Sequence, residues 1–550
     1  CLELFDVKFP DSEAEQLALL ESEIARIETL RQGRPIAALS QLPVMGDAGM
    51  RMVMNLLTTL WSPAYIAGEA ALTRLFSATM VRLSLEHGNA AESAYGYATH
   101  TITLGPVLKD YEAAYEFGRL ALQVNEQFDD RRLRAKVYQQ FHAHANYWRQ
   151  PLHTCLPYAR EASRSGFESG DMTYGVYGAF TETWAAMFAT QYLAQFVRAY
   201  EPNLTLFKKL KVASVGDGQA AILNWARALQ GQTRAPLSLS TDEFDEDEYD
   251  ATYRDNPFFA VFALIGQMQL AYLFDEPARA LALTRRATAL APHLLGMLWP
   301  VMIEFWHGLA LAANYETSLV GQVTNLSHQD SEEQSAMMRE LEAAHASLSL
   351  LAEHSPENFR CPALLLAAEI ERLAGRDLAA LDRYERAIGY AVESGMVQHQ
   401  ALANELCAQL WLKRGQRKTA AVFMTDARAA YAQWGATAKV AALERKPLLR
   451  PSVLAGVAAF AIVGAADVVA AGATSIQASI GEALDGATSK LANWPLEAAK
   501  AGLNFVMGLI QAITTGSGPV ADAVKGLASS AVSALFGALQ IRSPSRITAK

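Results

Sequence analysis

The apolar positions of this chain recur every three to four residues over long stretches, and the stretch "LLAAEIERLAGRDLAALDRYERAIGYAVESG" shows the pattern best. It predicts two amphipathic helices joined by a tight turn. Gly375 ends the first, because a glycine takes the left-handed backbone that closes a helix, and Asp377 is placed to cap the second. The inner face of the second helix then carries Ala380, Tyr384 and Ala387. Small residues allow two helices to approach, and the aromatic fills the gap to the next pair. The pattern returns after 415 − 375 = 40 residues: Gly415 takes the turn, and Ala420, Met424 and Ala427 follow at the same offsets. Weaker copies lie earlier, with Ala114, Gly118 and Ala121 in one and Ala280, Thr284 and Ala287 in another, the latter ended by Pro292. Prolines are sparse and β-branched runs of strand length are few, so the fold class expected is all-α.

The small–large–small spacing is similar to that of tetratricopeptide-type repeats. A single hairpin cannot bury its own apolar stripe, so a solenoid of stacked hairpins is expected over residues 1–449. The acidic run "TDEFDEDEYDATYRDNP" shows no apolar stripe and reads as a surface insertion at about 240–257, with docking to a basic partner as the sharper reading. The basic stretch KRGQRK puts Lys413, Arg414, Arg417 and Lys418 around Gly415, where one helix ends and the next begins. That is the place of a solvated hairpin tip, with cations complementing a helix C-terminus, and a partner-binding basic patch is the sharper reading. Trp299, Trp306 and His307 sit in an aromatic stretch expected to be core, with a ligand groove as the sharper reading. Tyr95, Tyr97 and His100 form no recognisable catalytic geometry.

Composition narrows the function classes. With 51% hydrophobic and 19% charged residues, a large core is available and wholesale disorder is excluded. A net charge of −10 argues against chain-wide attraction to nucleic acid. The four cysteines (Cys1, Cys155, Cys361 and Cys407) lie far apart and read as buried thiols of a reducing compartment. His142 and His144, two residues apart on a helix, point to different sides and make a poor metal site. The chain opens on "CLELFDVKFP" without an initiator methionine and is expected to be a piece of something longer or processed.

Four stretches together carry a resemblance: "RLSLEHGNAAESAYGYATHTITLGPVLKDYEAAYEFGRLAL", "GFESGDMTYGVYGAF", "ENFRCPALLLAAEIERLAGRDLAALDRYERAI" and "ALANELCAQLWLKRGQRKTAAVFMTDARAAYAQWGATAKVAALER". Over roughly residues 1–446 the chain resembles the helical-repeat region of very large bacterial signalling ATPase/kinases. In those proteins a Ser/Thr-kinase-like domain and a P-loop ATPase module precede the region. A GAF domain and often a histidine-kinase module follow it. The resemblance implies a non-catalytic scaffold or regulatory segment in the cytoplasm, with protein partners or neighbouring modules and no cofactor. No kinase triplet HRD or DFG is present, and "GEALDGATSK" has Ala487 where a P-loop lysine would stand.

After "RKPLLRPS" the composition shifts toward glycine and alanine, so residues 450–550 are expected to form a small hydrophobic helical tail. Residues 453–473 approach the length of a membrane span but are interrupted by Asp467, which favours a buried or interfacial helix and permits weak membrane association. The end of the tail, with Ile541, Ser543, Pro544 and Ser545 at its centre, resembles the C-terminal region of phage tail tape-measure proteins. That resemblance implies an alternative function as a structural tail component.

Overall fold

A computed structural model describes residues 2–5, 7–320 and 328–446. The tail 450–550, the span-like stretch 453–473, "GEALDGATSK", Cys1 and the motif around Ile541, Ser543, Pro544 and Ser545 lie outside the described residues. Within them the protein is all-α: helix follows helix from Glu13–Arg31 to Thr437–Glu444, and the lone β feature is a parallel bridge between Val44 and Asn89. Contacts divide the chain into two compact units. Residues 1–403 with 430–440 form the first, and the described part of the second is 404–429 with 441–446.

Hairpins of consecutive helices build the first unit. In the pair Pro356–Leu373 and Asp377–Glu393, Ala380, Tyr384 and Ala387 are fully buried. The Tyr384 hydroxyl donates to Glu369, itself buried and paired with Arg372 at 2.5 Å, so the large member of the triplet is also a polar anchor. Gly375 has φ +72°, and a Cβ there would meet nothing within 4 Å; glycine is required by the backbone and not by space. Arg376 occupies the cap position of the second helix and Asp377 is its first residue, one step from the cap the sequence suggests. Ala114, Gly118 and Ala121 are buried in the helix Tyr111–Phe128, and Ala280, Thr284 and Ala287 in Pro277–Leu290. In the second unit Ala420, Met424 and Ala427 are buried, and Gly415 has φ +75°.

A close helix crossing joins Cys155–Ser169 to Met172–Ala189. A Cβ on Gly166 would lie 2.3 Å from the Gly175 nitrogen, and one on Gly178 would lie 2.4 Å from the Ser163 nitrogen. The two backbones touch, and the Ser163 hydroxyl donates to the Gly175 carbonyl at 2.9 Å. These glycines belong to the stretch "GFESGDMTYGVYGAF", and the crossing is the physical reason for them.

The acidic run is more ordered than a solvated insertion. Asp245 caps a helix, Glu246–Tyr253, accepting from the Asp247 and Glu248 nitrogens at 3.0 and 3.2 Å. Tyr249 is buried and donates to the Phe259 carbonyl at 2.6 Å, while Glu246 accepts from Gln267 at 2.9 Å. Tyr253 adds a ring contact to Phe259, 5.4 Å between centres, so two tyrosines one helical turn apart dock the run onto the helix Pro257–Leu273, and most of its remaining carboxylates stay at the surface.

Candidate functional site

The last turns of a helix leave carbonyl oxygens without partners in their own helix. In the first unit several of these are satisfied from far along the chain. At the C-terminal end of the helix Met172–Ala189, the Phe188 and Thr190 carbonyls accept from Gln398 Nε2 at 2.9 Å and from Trp434 Nε1 at 3.1 Å. Just past Ala213–Leu229, the Gln230 carbonyl accepts from Thr437 Oγ1 at 2.9 Å. At the end of Pro257–Leu273, the Leu273 carbonyl accepts from Lys439 Nζ. Lys439 is buried, and its ammonium lies 5.5 Å from the Tyr431 ring centre. A buried cation at a helix C-terminus is also favoured by the helix dipole. Residues 430–440 thus clasp the C-terminal ends of three helices that precede them by 166 to 244 positions.

A second join lies nearer the N-terminal helices. Asn358, 1% exposed, accepts from the Leu152 nitrogen at 2.9 Å and donates to the Tyr147 and Gln150 carbonyls at 2.9 and 2.8 Å. The Gly296 carbonyl accepts from Tyr147 Oη at 2.5 Å and lies 2.9 Å from His144 Nδ1. A carbonyl only accepts, so Nδ1 carries the proton. Burial pushes the His144 pKa down to about 4, which leaves the ring neutral near pH 7.

Under the clasp lies a cavity of about 40 Å³ walled by Phe188, Trp225, Trp306, Met396, Tyr431 and Trp434. Trp225 and Trp434 meet edge to face, 5.7 Å between ring centres. The Trp225 Nε1 donor and the Gln398 Oε1 acceptor are buried without a hydrogen-bond partner among the described residues. The volume corresponds to about three water-sized spaces, each needing roughly 10–15 Å³. His399, also on this wall, is held neutral by burial, its pKa pushed down to about 4.

The residues singled out from the sequence are distributed as follows. Trp299 is core: it packs against Trp184, Phe188 and Phe262 at 5.1–5.5 Å. Trp306 forms part of the cavity wall, while His307 lies between Thr284 Oγ1 at 3.0 Å and Glu340 at 3.1 Å. His142 turns to Thr181 at 2.9 Å and His144 to Gly296, so the pair does not converge. Among the described residues no group of three or more His, Cys, Asp or Glu side chains could hold a metal ion. Cys155, Cys361 and Cys407 are buried, and burial pushes the Cys155 thiol up to about 12. Tyr95 shares its hydroxyl with Ser62 and Tyr174, and Tyr97 donates to Asn89 at 2.7 Å. Lys413, Arg414, Arg417 and Lys418 are all exposed around Gly415, with the Arg414 guanidinium 6.0 Å from the Trp411 ring centre.

The feature missed by sequence reasoning is the clasp. Its residues stand in "AYAQWGATAKV", a stretch noted for its resemblance alone, because the carbonyls it serves are distant in sequence. No protein-family model matches the chain, and no curated protein matches it. Among the described residues no helix is long and apolar enough to cross a membrane.

Proposed function

We propose that residues 1–446 are a non-catalytic helical-repeat scaffold, the solenoid-like regulatory segment of a cytoplasmic bacterial signalling ATPase/kinase. The observation that carries this reading is the repeated hairpin with a turn glycine and a buried small–large–small face, seen at Gly375 with Ala380, Tyr384 and Ala387 and again at Gly415 with Ala420, Met424 and Ala427. Such an array transmits force and position through helix packing and presents its faces to protein partners or to neighbouring modules of a longer chain. The clasp supports the same reading. It ties the end of the array to helices much earlier in the chain, so a displacement at residues 430–440 is felt at three helix ends.

Two experiments test it. A long-read sequence of the native locus, from well upstream of the codon for Cys1, is expected to show one open frame with kinase and P-loop motifs ahead of the repeats. A frame that begins close to Cys1, with no such module, would contradict the assignment. Calorimetric titration of the purified chain with ATP and Mg²⁺ is expected to give no binding, and stoichiometric binding would contradict a non-catalytic role. The tape-measure alternative rests on residues 541–545, and a reading frame broken near Pro447 would separate that tail from the array.

A further inference from the structure

Beside the N-terminal helices is a second hollow, about 30 Å³, where Ala48–Ile66 and Ala70–His87 face the segment at 292–295. Its wall is aromatic: Trp61 and Tyr65 stack with 5.0 Å between ring centres and 12° between planes. Arg74 and the exposed His293 supply its basic groups. The neutral polar groups of the wall are engaged. Ser77 Oγ accepts from Trp61 Nε1 at 2.9 Å and lies within bonding distance of Thr73 O and Thr99 Oγ1. Thr73 Oγ1 donates to the Glu69 carbonyl at 2.5 Å, and Tyr65 Oη to the Leu295 carbonyl at 3.1 Å.

Arg74 differs from these. Its Nε donates to the Ala70 carbonyl at 3.0 Å, and among the described residues its two Nη groups have no carboxylate within ion-pair distance. The guanidinium is partly desolvated, which lowers its pKa, and the charge of Glu13 offsets only part of that effect. A cation drawn from water without a carboxylate is disfavoured until an anion joins it. The volume is that of about two waters, which suits the three heavy atoms of a carboxylate with its tail left outside. The planar fork of a guanidinium matches a carboxylate in two parallel hydrogen bonds.

We propose that this hollow is a binding site for a carboxylate head group, gripped by Arg74 and seated against the Trp61–Tyr65 wall. The carboxylate belongs to a small free acid or to an acidic side chain of a protein partner; the recognising chemistry is the same. The site stands apart from the scaffold reading, since a free acid binds whether or not the chain is a scaffold.

The test is a ¹⁵N-TROSY titration of the whole chain in chloride-free buffer, following the indole N–H of Trp61, assigned by its loss in Trp61→Phe. The probes are acetate, the neutral isostere acetamide, and N-acetylaspartate amide. Acetate or N-acetylaspartate amide is expected to shift the Trp61 resonance saturably with a Kd on the order of 1 mM, while acetamide leaves it unmoved. Tighter binding of acetate identifies free acids as the source, and tighter binding of the aspartate derivative identifies an acidic side chain. Arg74→Gln is expected to weaken binding at least tenfold, with Arg74→Lys intermediate. Acetamide acting like acetate, no saturable shift with either acid, or an unchanged titration in folded Arg74→Gln would each overturn the proposal. The acetate–acetamide comparison on the unsubstituted chain decides the matter even where a variant does not fold.

Discussion

At the scale of single residues, the protein uses glycine for two separate reasons, and substitution separates them. Gly375 needs its positive φ, so Gly375→Ala is expected to cost about 1–2 kcal/mol through the left-handed backbone alone. Gly389 lies mid-helix in Asp377–Glu393, with nothing within 4 Å of an added Cβ and no positive φ, so Gly389→Ala is expected to stabilise by roughly 0.5–1 kcal/mol. Urea unfolding of the two variants checks both signs. The turn glycines and the buried triplets were legible in the sequence because each depends on residues within one or two helical turns. Asp377 falls one position inside the helix because the cap is decided by the backbone angles of Arg376, which composition does not reveal. Tyr249 and Tyr253 were passed over because two tyrosines among so many carboxylates make no apolar stripe, yet together they seat the run against Phe259.

At the scale of elements, two helices touch at Gly166, Gly175 and Gly178 through backbone atoms. Gly178→Ala forces Cys155–Ser169 and Met172–Ala189 apart and is expected to destabilise by about 1–3 kcal/mol, the cost of overpacking. A melting temperature equal to that of the unsubstituted protein would rule the crossing out. Ala380→Leu and Ala420→Leu test the buried hairpin faces in the same way and are expected to fall in the same range. The spacing of small residues predicted faces for these helices. It did not predict which pair would approach to backbone contact, since that distance is set by both partners together.

At the scale of the whole molecule, buried histidines and the clasp decide how the fold responds to its surroundings. His100, His142, His144 and His399 are all buried, with pKa values pushed down to between about 3 and 4 from an ordinary 6.5. Between those limits the unfolded chain binds protons that the folded chain excludes, so stability rises with pH from about 4 to 6.5 and falls on acidification. Each histidine contributes up to about 1.4 kcal/mol per pH unit within that window. His144→Asn keeps a donor toward Gly296 and removes the titrating group. Urea midpoints between pH 5 and 7 are therefore expected to change less steeply in this variant, and an equal slope would contradict burial of a neutral His144.

The clasp was not legible because Trp434, Thr437 and Lys439 serve carbonyls 244, 207 and 166 positions away, and a hairpin periodicity carries no information at that range. The decisive measurement is hydrogen exchange by mass spectrometry on a Trp434→Phe, Thr437→Ala, Lys439→Met variant, read at the last turns of Met172–Ala189, Ala213–Leu229 and Pro257–Leu273. Faster exchange at those three ends, with the N-terminal turns of the same helices unchanged, is the predicted result. Protection identical to the unsubstituted chain at all three ends would contradict the clasp.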